Sequence, residues 1–161
     1  ETVYAVDVGH GQLAESLRRD SRVVNMENTD IRMISAEDIG GQVDFICTDV
    51  SFISLTKILP KISELLKSDG VAAVLIKPQF EAGKSDIGKK GVVKDKKVHL
   101  RILKELDGFM RLTGLMPVSY THSPIKGGSG NIEYLAKLVK CSEEREIPDY
   151  SGIVEEAFRQ L

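Results

Sequence analysis

Asp49 and Lys77 each stand where an apolar run stops. Residues 43–47 lead through Thr48 to Asp49, and residues 71–76 run apolar up to Lys77. A buried strand has no use for a charge along its length, but open α/β sheets place their chemistry at the carboxyl ends of strands. On neighbouring strands the two opposite charges would face one crevice. Glu133 opens a later apolar run, 132–139, behind the glycine-rich stretch 127–131. A strand antiparallel to its neighbours begins on the edge where they end, so Glu133 would lie on the same rim. A lysine between two carboxylates is held by charge-assisted hydrogen bonds that orient its amine. Its proton can stabilise an alkoxide developing on a bound hydroxyl, or the desolvated amine can accept the hydroxyl proton. Either role suits attack by a sugar hydroxyl on a methyl group carried by a sulfonium, with much of the rate coming from alignment.

The elements that must position these residues alternate as βαβ units on a parallel sheet. Strands are expected at Val3–Val6, Val23–Met26, Val43–Thr48 and 71–76, with a short helix over 12–19. Leu55, Ile58, Leu59, Ile62, Leu65 and Leu66 recur at helical spacing over 55–67, and Asp69-Gly70 reads as the stop. Residues 78–93 read as a long loop and 96–113 as a helix. Strands at 116–120 and 132–139 leave no room for a crossover helix, so they should pair antiparallel. A charged spacer over 142–148 and a terminal helix over 151–161 complete the chain, packed on the same domain as residues 1–141.

Bulk properties bound the function without specifying it. A chain of 161 residues suits one domain with a real core. A net charge of −2 excludes a wholly basic nucleic-acid module, so polyanion binding would be local. Cys47 and Cys141 sit in or after apolar runs, as reduced thiols in a cytoplasmic protein do. No run approaches a membrane span and no signal-peptide pattern is present, so no membrane role is expected. His10, His99 and His122 lack metal-ligand spacing, and no metal site is expected.

The remaining motifs are ambiguous on their own. Gly9-His-Gly-Gln-Leu-Ala14 fits G-x-G-x-x-A after a strand, with Glu27 or Asp30 as a ribose-binding acid. That reading makes the protein a nicotinamide-dependent oxidoreductase, though no hydride-transfer partner stands out. An ordinary glycine turn fits equally well, as does a cofactor ribose held by Asp7 at its strand end. Asp49 could cap the helix near Ser54, but Ser54 can do so itself. Pro78 stops the strand and holds Lys77 at the rim, although a lysine snorkelling from a strand end would look similar. Glu133 could be an exposed edge-strand residue after a glycine hairpin. Six lysines from Lys84 to Lys97 form either a solvated loop face or a mobile basic flap over a phosphate backbone.

Asp-Val-Gly-x-Gly-Gln-Leu at 7–13, Asp-Val-Ser-Phe-Ile-Ser-Leu at 49–55, Lys-Pro-Gln-Phe-Glu at 77–81 and Gly-Asn-x-Glu at 130–133 together resemble a known family. It is the TlyA, or "hemolysin A", family of S-adenosylmethionine-dependent ribosomal RNA 2′-O-methyltransferases, related to FtsJ-type enzymes. The resemblance runs from about residue 3 to residue 140. It implies a Rossmann-like α/β methyltransferase sheet, mostly parallel with a final antiparallel hairpin. By resemblance Asp49, Lys77 and Glu133 are the second, third and fourth members of a Lys-Asp-Lys-Glu tetrad. Asp7 would bind the cofactor ribose beside Val8, Asn28 and Thr29 would lie on the adenine side, and Gly9-x-Gly11 becomes a turn. The family pattern places the first catalytic lysine, the first strand, the glycine-rich cofactor loop and a small RNA-binding domain before Glu1. The resemblance makes ribosomal RNA or ribosomal subunits the expected partner. The family's historical name leaves a membrane-active hemolysin as an alternative, one that no amphipathic basic helix here supports.

Overall fold

The computed structural model describes residues 1–141, 146 and 148–161. Residues 142–145 and 147 of the expected spacer lie outside the described residues. The chain divides into two compact units, Glu1–Gln42 and Val43–Leu161.

In the first unit, β1 (Val3–Val6) pairs parallel with β2 (Val23–Met26), from Val3 opposite Val23 to Val6 opposite Met26. The crossover helix α1 (Glu15–Arg18) is a single turn, shorter than the expected 12–19. Its start is delayed because the backbone N–H groups of Gln12 and Leu13 are drawn to the Glu27 carboxylate, at 2.6 and 2.9 Å. Ala14 then precedes the helix without offering a side-chain cap. Asp30 caps the following 3₁₀ turn, Ile31–Met33, by accepting from the Arg32 N–H. Only Ile34 and Ile39 of this unit are buried.

The second unit holds a four-stranded mixed sheet of order β3-β4-β6-β5. Its elements are β3 (Val43–Thr48), α2 (Leu59–Leu65), β4 (Leu66–Ile76), α3 (Pro78–Glu81), α4 (Lys96–Leu112), β5 (Leu115–His122), β6 (Tyr134–Lys140) and α5 (Tyr150–Gln160). β3 and β4 are parallel. β6 runs antiparallel to β5, as the short 123–131 connection requires, and also antiparallel to β4. Ala72, Val74 and Ile76 of β4 and Tyr134, Ala136 and Leu138 of β6 alternate into a core closed by Ile102, Leu103, Leu106 and Met110 of α4. Asp95 caps α4 by accepting from the Lys97 N–H. α5 packs against α4 through the Phe158 ring, edge-on to His99 at 5.0 Å, and through the Lys96–Glu155 ion pair.

Two sequence expectations are corrected here. β4 starts at Leu66, not at 71, because Asp69-Gly70 lies in a bulge and does not form a helix-ending turn. Val43 pairs with Leu66 while Phe45 pairs with Val71, and the Lys67–Asp44 ion pair at 2.6 Å spans the bulge. Lys140 Nζ donates to the carbonyls of Ser63 and Leu66, so α2 passes into β4 with no intervening loop. The expected loop 78–93 instead contains α3 and a 3₁₀ turn, Lys84–Asp86.

Candidate functional site

β3 and β4 end side by side, with Thr48 opposite Val74, and the chain beyond each end carries the opposed charges. Lys77 Nζ lies 2.6 Å from Asp49 Oδ1 and donates to Ser51 Oγ at 3.0 Å. The lysine side chain is 13% exposed and the aspartate 71%, so the ammonium is nearly buried while its partner opens to solvent. Pro78 begins α3 directly after Lys77, which fixes where the strand ends. The ammonium also lies 5.8 Å above the Phe80 ring. Ser54 caps the 3₁₀ turn Leu55–Lys57 by accepting from the Thr56 N–H, so Asp49 is not needed as a cap.

Glu133 is buried immediately before β6, whose Tyr134 pairs with Ile76, the residue before Lys77. Register therefore puts Glu133 on the rim with Lys77. Glu133 does not pair with Lys77: its Oε1 accepts from Gln79 Nε2 at 2.9 Å, and among the described residues the carboxylate paired with Lys77 is Asp49. A Cβ at Gly127 would collide with the Glu133 carboxylate, so the glycine loop is part of what seats it.

Several residues of the site went unassigned in the sequence reading, although most lie inside the quoted motifs. Gln79 orients Glu133, and its Oε1 is buried without a partner among the described residues. Glu81 accepts from Ser54 Oγ at 2.6 Å and from the Leu55 N–H at 2.8 Å, tying the segment after β3 to α3. Burial pushes the Glu81 carboxyl up, against those two hydrogen bonds. Phe52 is 92% exposed, sits at φ +62°, and lies 5.1 Å from the Phe80 ring. A left-handed phenylalanine was not readable from residue type.

In the first unit the loops after β1 and β2 interlock. The Gly9 N–H donates to Asp7 Oδ1 at 2.6 Å, and the Asn28 and Thr29 N–H groups donate to the carbonyls of Gly9 and Asp7. The structure thus brings Asp7, Val8, Asn28 and Thr29 together. Asp7 Oδ2 has no partner among the described residues, and Val8 beside it is 72% exposed. Glu27, offered for a dinucleotide ribose, is occupied by Gln12, Leu13 and Arg18, and the bonds from those backbone amides hold its carboxyl down at about 2. Asp30 is occupied by Arg32. With α1 only one turn long, Gly9-x-Gly11 is a turn, with Gly11 at φ +70°.

Comparison with known proteins gives this geometry a context. The sequence model of the FtsJ-like methyltransferases matches residues 1–140. The 16S/23S rRNA (cytidine-2′-O)-methyltransferase TlyA of Mycobacterium tuberculosis is 44% identical over 136 residues, covering 84% of this chain and 51% of that protein. A hemolysin-labelled structure from Streptococcus thermophilus superposes with a TM-score of 0.94 at 40% identity, over 99% of this chain and 58% of the other. The fibrillarin pre-rRNA processing protein of Methanococcus jannaschii shares the fold alone, with a TM-score of 0.62 at 17% identity over 88% of this chain and 57% of that one. The chain spans about half the length of the curated relatives it matches. Among the described residues no helix is long and apolar enough to cross a membrane.

Proposed function

The chain belongs to the FtsJ-like methyltransferase family, and on that premise we propose that it is the catalytic part of an enzyme that methylates a ribose 2′-hydroxyl of ribosomal RNA, using S-adenosylmethionine. The observation that carries this reading is the nearly buried Lys77 ammonium, 2.6 Å from Asp49 at the carboxyl edge of the sheet. Ser51 accepts one of its N–H donors, and Asp49 pairs with its charge. An N–H left over is available to a substrate oxygen, where it stabilises negative charge developing during attack. As the 2′-oxygen bonds the methyl carbon, the methyl–sulfur bond would break with its electrons left on sulfur and the hydroxyl proton would leave, for which exposed Asp49 offers a route to water. Glu133, seated by Gln79 and Gly127, completes the polar rim as the fourth member of the tetrad. A first lysine from upstream sequence would complete the set.

The cofactor supplies an electrophilic methyl group on a sulfonium whose charge disappears on transfer. The residues of the first unit fit its nucleoside. Asp7 keeps one carboxylate oxygen for the ribose hydroxyls, Val8 offers apolar surface, and Asn28 and Thr29 border the loop on the adenine side. We further propose that residues 1–141 and α5 belong to one methyltransferase domain, with ribosomal RNA or a ribosomal subunit as partner and the cytoplasm as setting. A separate RNA-binding domain in the full-length protein would assist.

The test is transfer of labelled methyl from S-adenosylmethionine to ribosomal RNA by the full-length protein, with the label mapped to a ribose 2′-oxygen. Lys77→Ala should lower the rate about a hundred- to ten-thousand-fold while the circular dichroism spectrum is unchanged. A fully active Lys77→Ala protein would remove the lysine from the mechanism.

A further inference from the structure

Lys89, Lys90 and Lys94 line one recess of about 490 Å³, together with Val92 on their own loop and Ser129 and Gly130 on the loop leading into β6. Resting on the RNA reading above, we propose that this recess holds the sugar–phosphate backbone of the substrate RNA strand beside the target ribose.

The charges of the recess are uncompensated. Lys61, Lys67, Lys77 and Lys96 each have a carboxylate within 4 Å, but among the described residues Lys89, Lys90 and Lys94 have none. Three lysines on one concavity add to a local positive potential that favours an anion. The recess is far larger than one inorganic anion needs, and its lysines are point charges without the planar fork that reads base edges. That combination suits successive phosphates of a strand, contacts that set position and not sequence.

The backbone of the lysine loop is tied down by hydrogen bonds from residues outside it. Asn131, 1% exposed, accepts from the Val93 N–H at 3.0 Å and donates to the Gly91 carbonyl at 2.9 Å. Buried His99 donates from Nε2 to the Val93 carbonyl and accepts at Nδ1 from the Tyr134 hydroxyl. Inside the loop, the Gly88 N–H donates to the Val92 carbonyl and the Gly91 N–H to that of Gly88. A loop fixed before binding loses less entropy when the anion arrives.

These clamps tie the recess to the catalytic rim. Asn131 lies two residues before Glu133, and Tyr134 pairs with Ile76, beside Lys77. A backbone gripped at the lysines is therefore referenced to the edge where the ribose must sit, which is the positioning that methyl transfer needs.

The test compares full-length wild-type protein with a triple Lys89→Ala/Lys90→Ala/Lys94→Ala variant. Binding of a single-stranded RNA oligonucleotide is followed across a salt titration, alongside methyl transfer to ribosomal RNA. The variant should bind roughly ten- to a hundredfold more weakly, with a log–log salt slope shallower by about 2, or ~0.7 per lost phosphate contact. S-adenosylmethionine affinity and the rate at saturating RNA should be unchanged, and a triple Lys→Arg variant should restore binding and slope. Wild-type RNA affinity and slope in the alanine variant would overturn the proposal, as would lost binding to phosphatidylserine vesicles with RNA binding intact. If the wild-type protein transfers no methyl to RNA, the parent reading fails, whereas the binding slope still decides the recess.

Discussion

Each unit of the chain pins a loop with a glutamate, and the two glutamates sit in opposite surroundings. In Glu1–Gln42, Glu27 receives the backbone N–H groups of Gln12 and Leu13, and those bonds hold its carboxyl down at about 2. In Val43–Leu161, Glu81 receives the Leu55 N–H and the Ser54 hydroxyl, yet burial pushes its carboxyl up. The first unit buries two residues, while the second contains a continuous apolar core. One region is shaped by exposed polar bonds around candidate cofactor contacts. The other uses a packed sheet to hold an ammonium, a carboxylate and a buried glutamate at one edge. Holding a lysine nearly out of water beside an exposed carboxylate requires the second kind of support.

The largest test of this contrast is in packing. Leu59 of α2 is fully buried, and Leu59→Ala should cost about 3 kcal/mol, within the ~2–5 kcal/mol range for such cavities. Leu17 of α1 is 48% exposed, and Leu17→Ala should stay within about 0.5 kcal/mol. Urea unfolding measures both. Similar losses would erase the distinction.

Cutting the polar clamps comes next in size. Glu81→Ala leaves the Leu55 N–H and the Ser54 hydroxyl without their acceptor and should cost about 1–3 kcal/mol. Release of the segment that carries Asp49 and Ser51 should also slow methyl transfer. Glu27→Ala should leave the transfer rate at saturating cofactor closer to wild type and act through the fold of its own loop. A Glu81→Ala enzyme with wild-type rate would separate the clamp from the chemistry.

Acid should act on the two glutamates in opposite senses. The depressed Glu27 carboxyl contributes stability that is present above the ordinary glutamate range, about 4.3, and lost as pH falls towards 2. The raised Glu81 carboxyl does the reverse: its contribution is present below about 4.3 and lost as pH rises through the folded-state value. Carboxyl-carbon NMR titration of the two residues checks this. Glu81 titrating at or below the ordinary range would show that its donors outweigh its burial.

Much of this arrangement could be read from residue order. Asp49 and Lys77 are charges ending apolar runs, and the gap between β5 and β6 is too short for anything but a hairpin, which carries Glu133 to the rim. Ser54 announces its own cap. Long-range side-chain bonds were not readable. Asp69-Gly70 looks like a helix stop until Lys67 meets Asp44 and Lys140 meets Ser63 and Leu66, which turn it into a bulge. The lysines of 84–97 are exposed, as a solvated loop face requires, but the grip of Asn131 and His99 on that loop's backbone comes from residues outside it. That Glu133 is held by Gln79 and not by Lys77 depends on which donor reaches it, and residue types alone do not say.

The smallest expected change probes backbone strain. Among the described residues each unit holds one non-glycine residue in the left-handed region, Asn28 at φ +55° and Phe52 at φ +62°. Asparagine tolerates that conformation, and Asn28→Gly should change stability by only a few tenths of a kcal/mol. Phenylalanine tolerates it poorly, at a cost of about 1–2 kcal/mol, and with 92% exposure its ring gains little burial in return. Phe52→Gly should therefore leave stability unchanged or raise it by up to about 1 kcal/mol, once glycine's larger unfolded-state entropy offsets part of the relief. Strain kept beside Lys77 with so little packing gain points to use of the exposed ring on a substrate. The same variant should then methylate RNA more slowly. Thermal melting and methyl-transfer assays on one preparation separate the two effects, and a more stable Phe52→Gly enzyme with full activity would show that the strain serves no purpose at this rim.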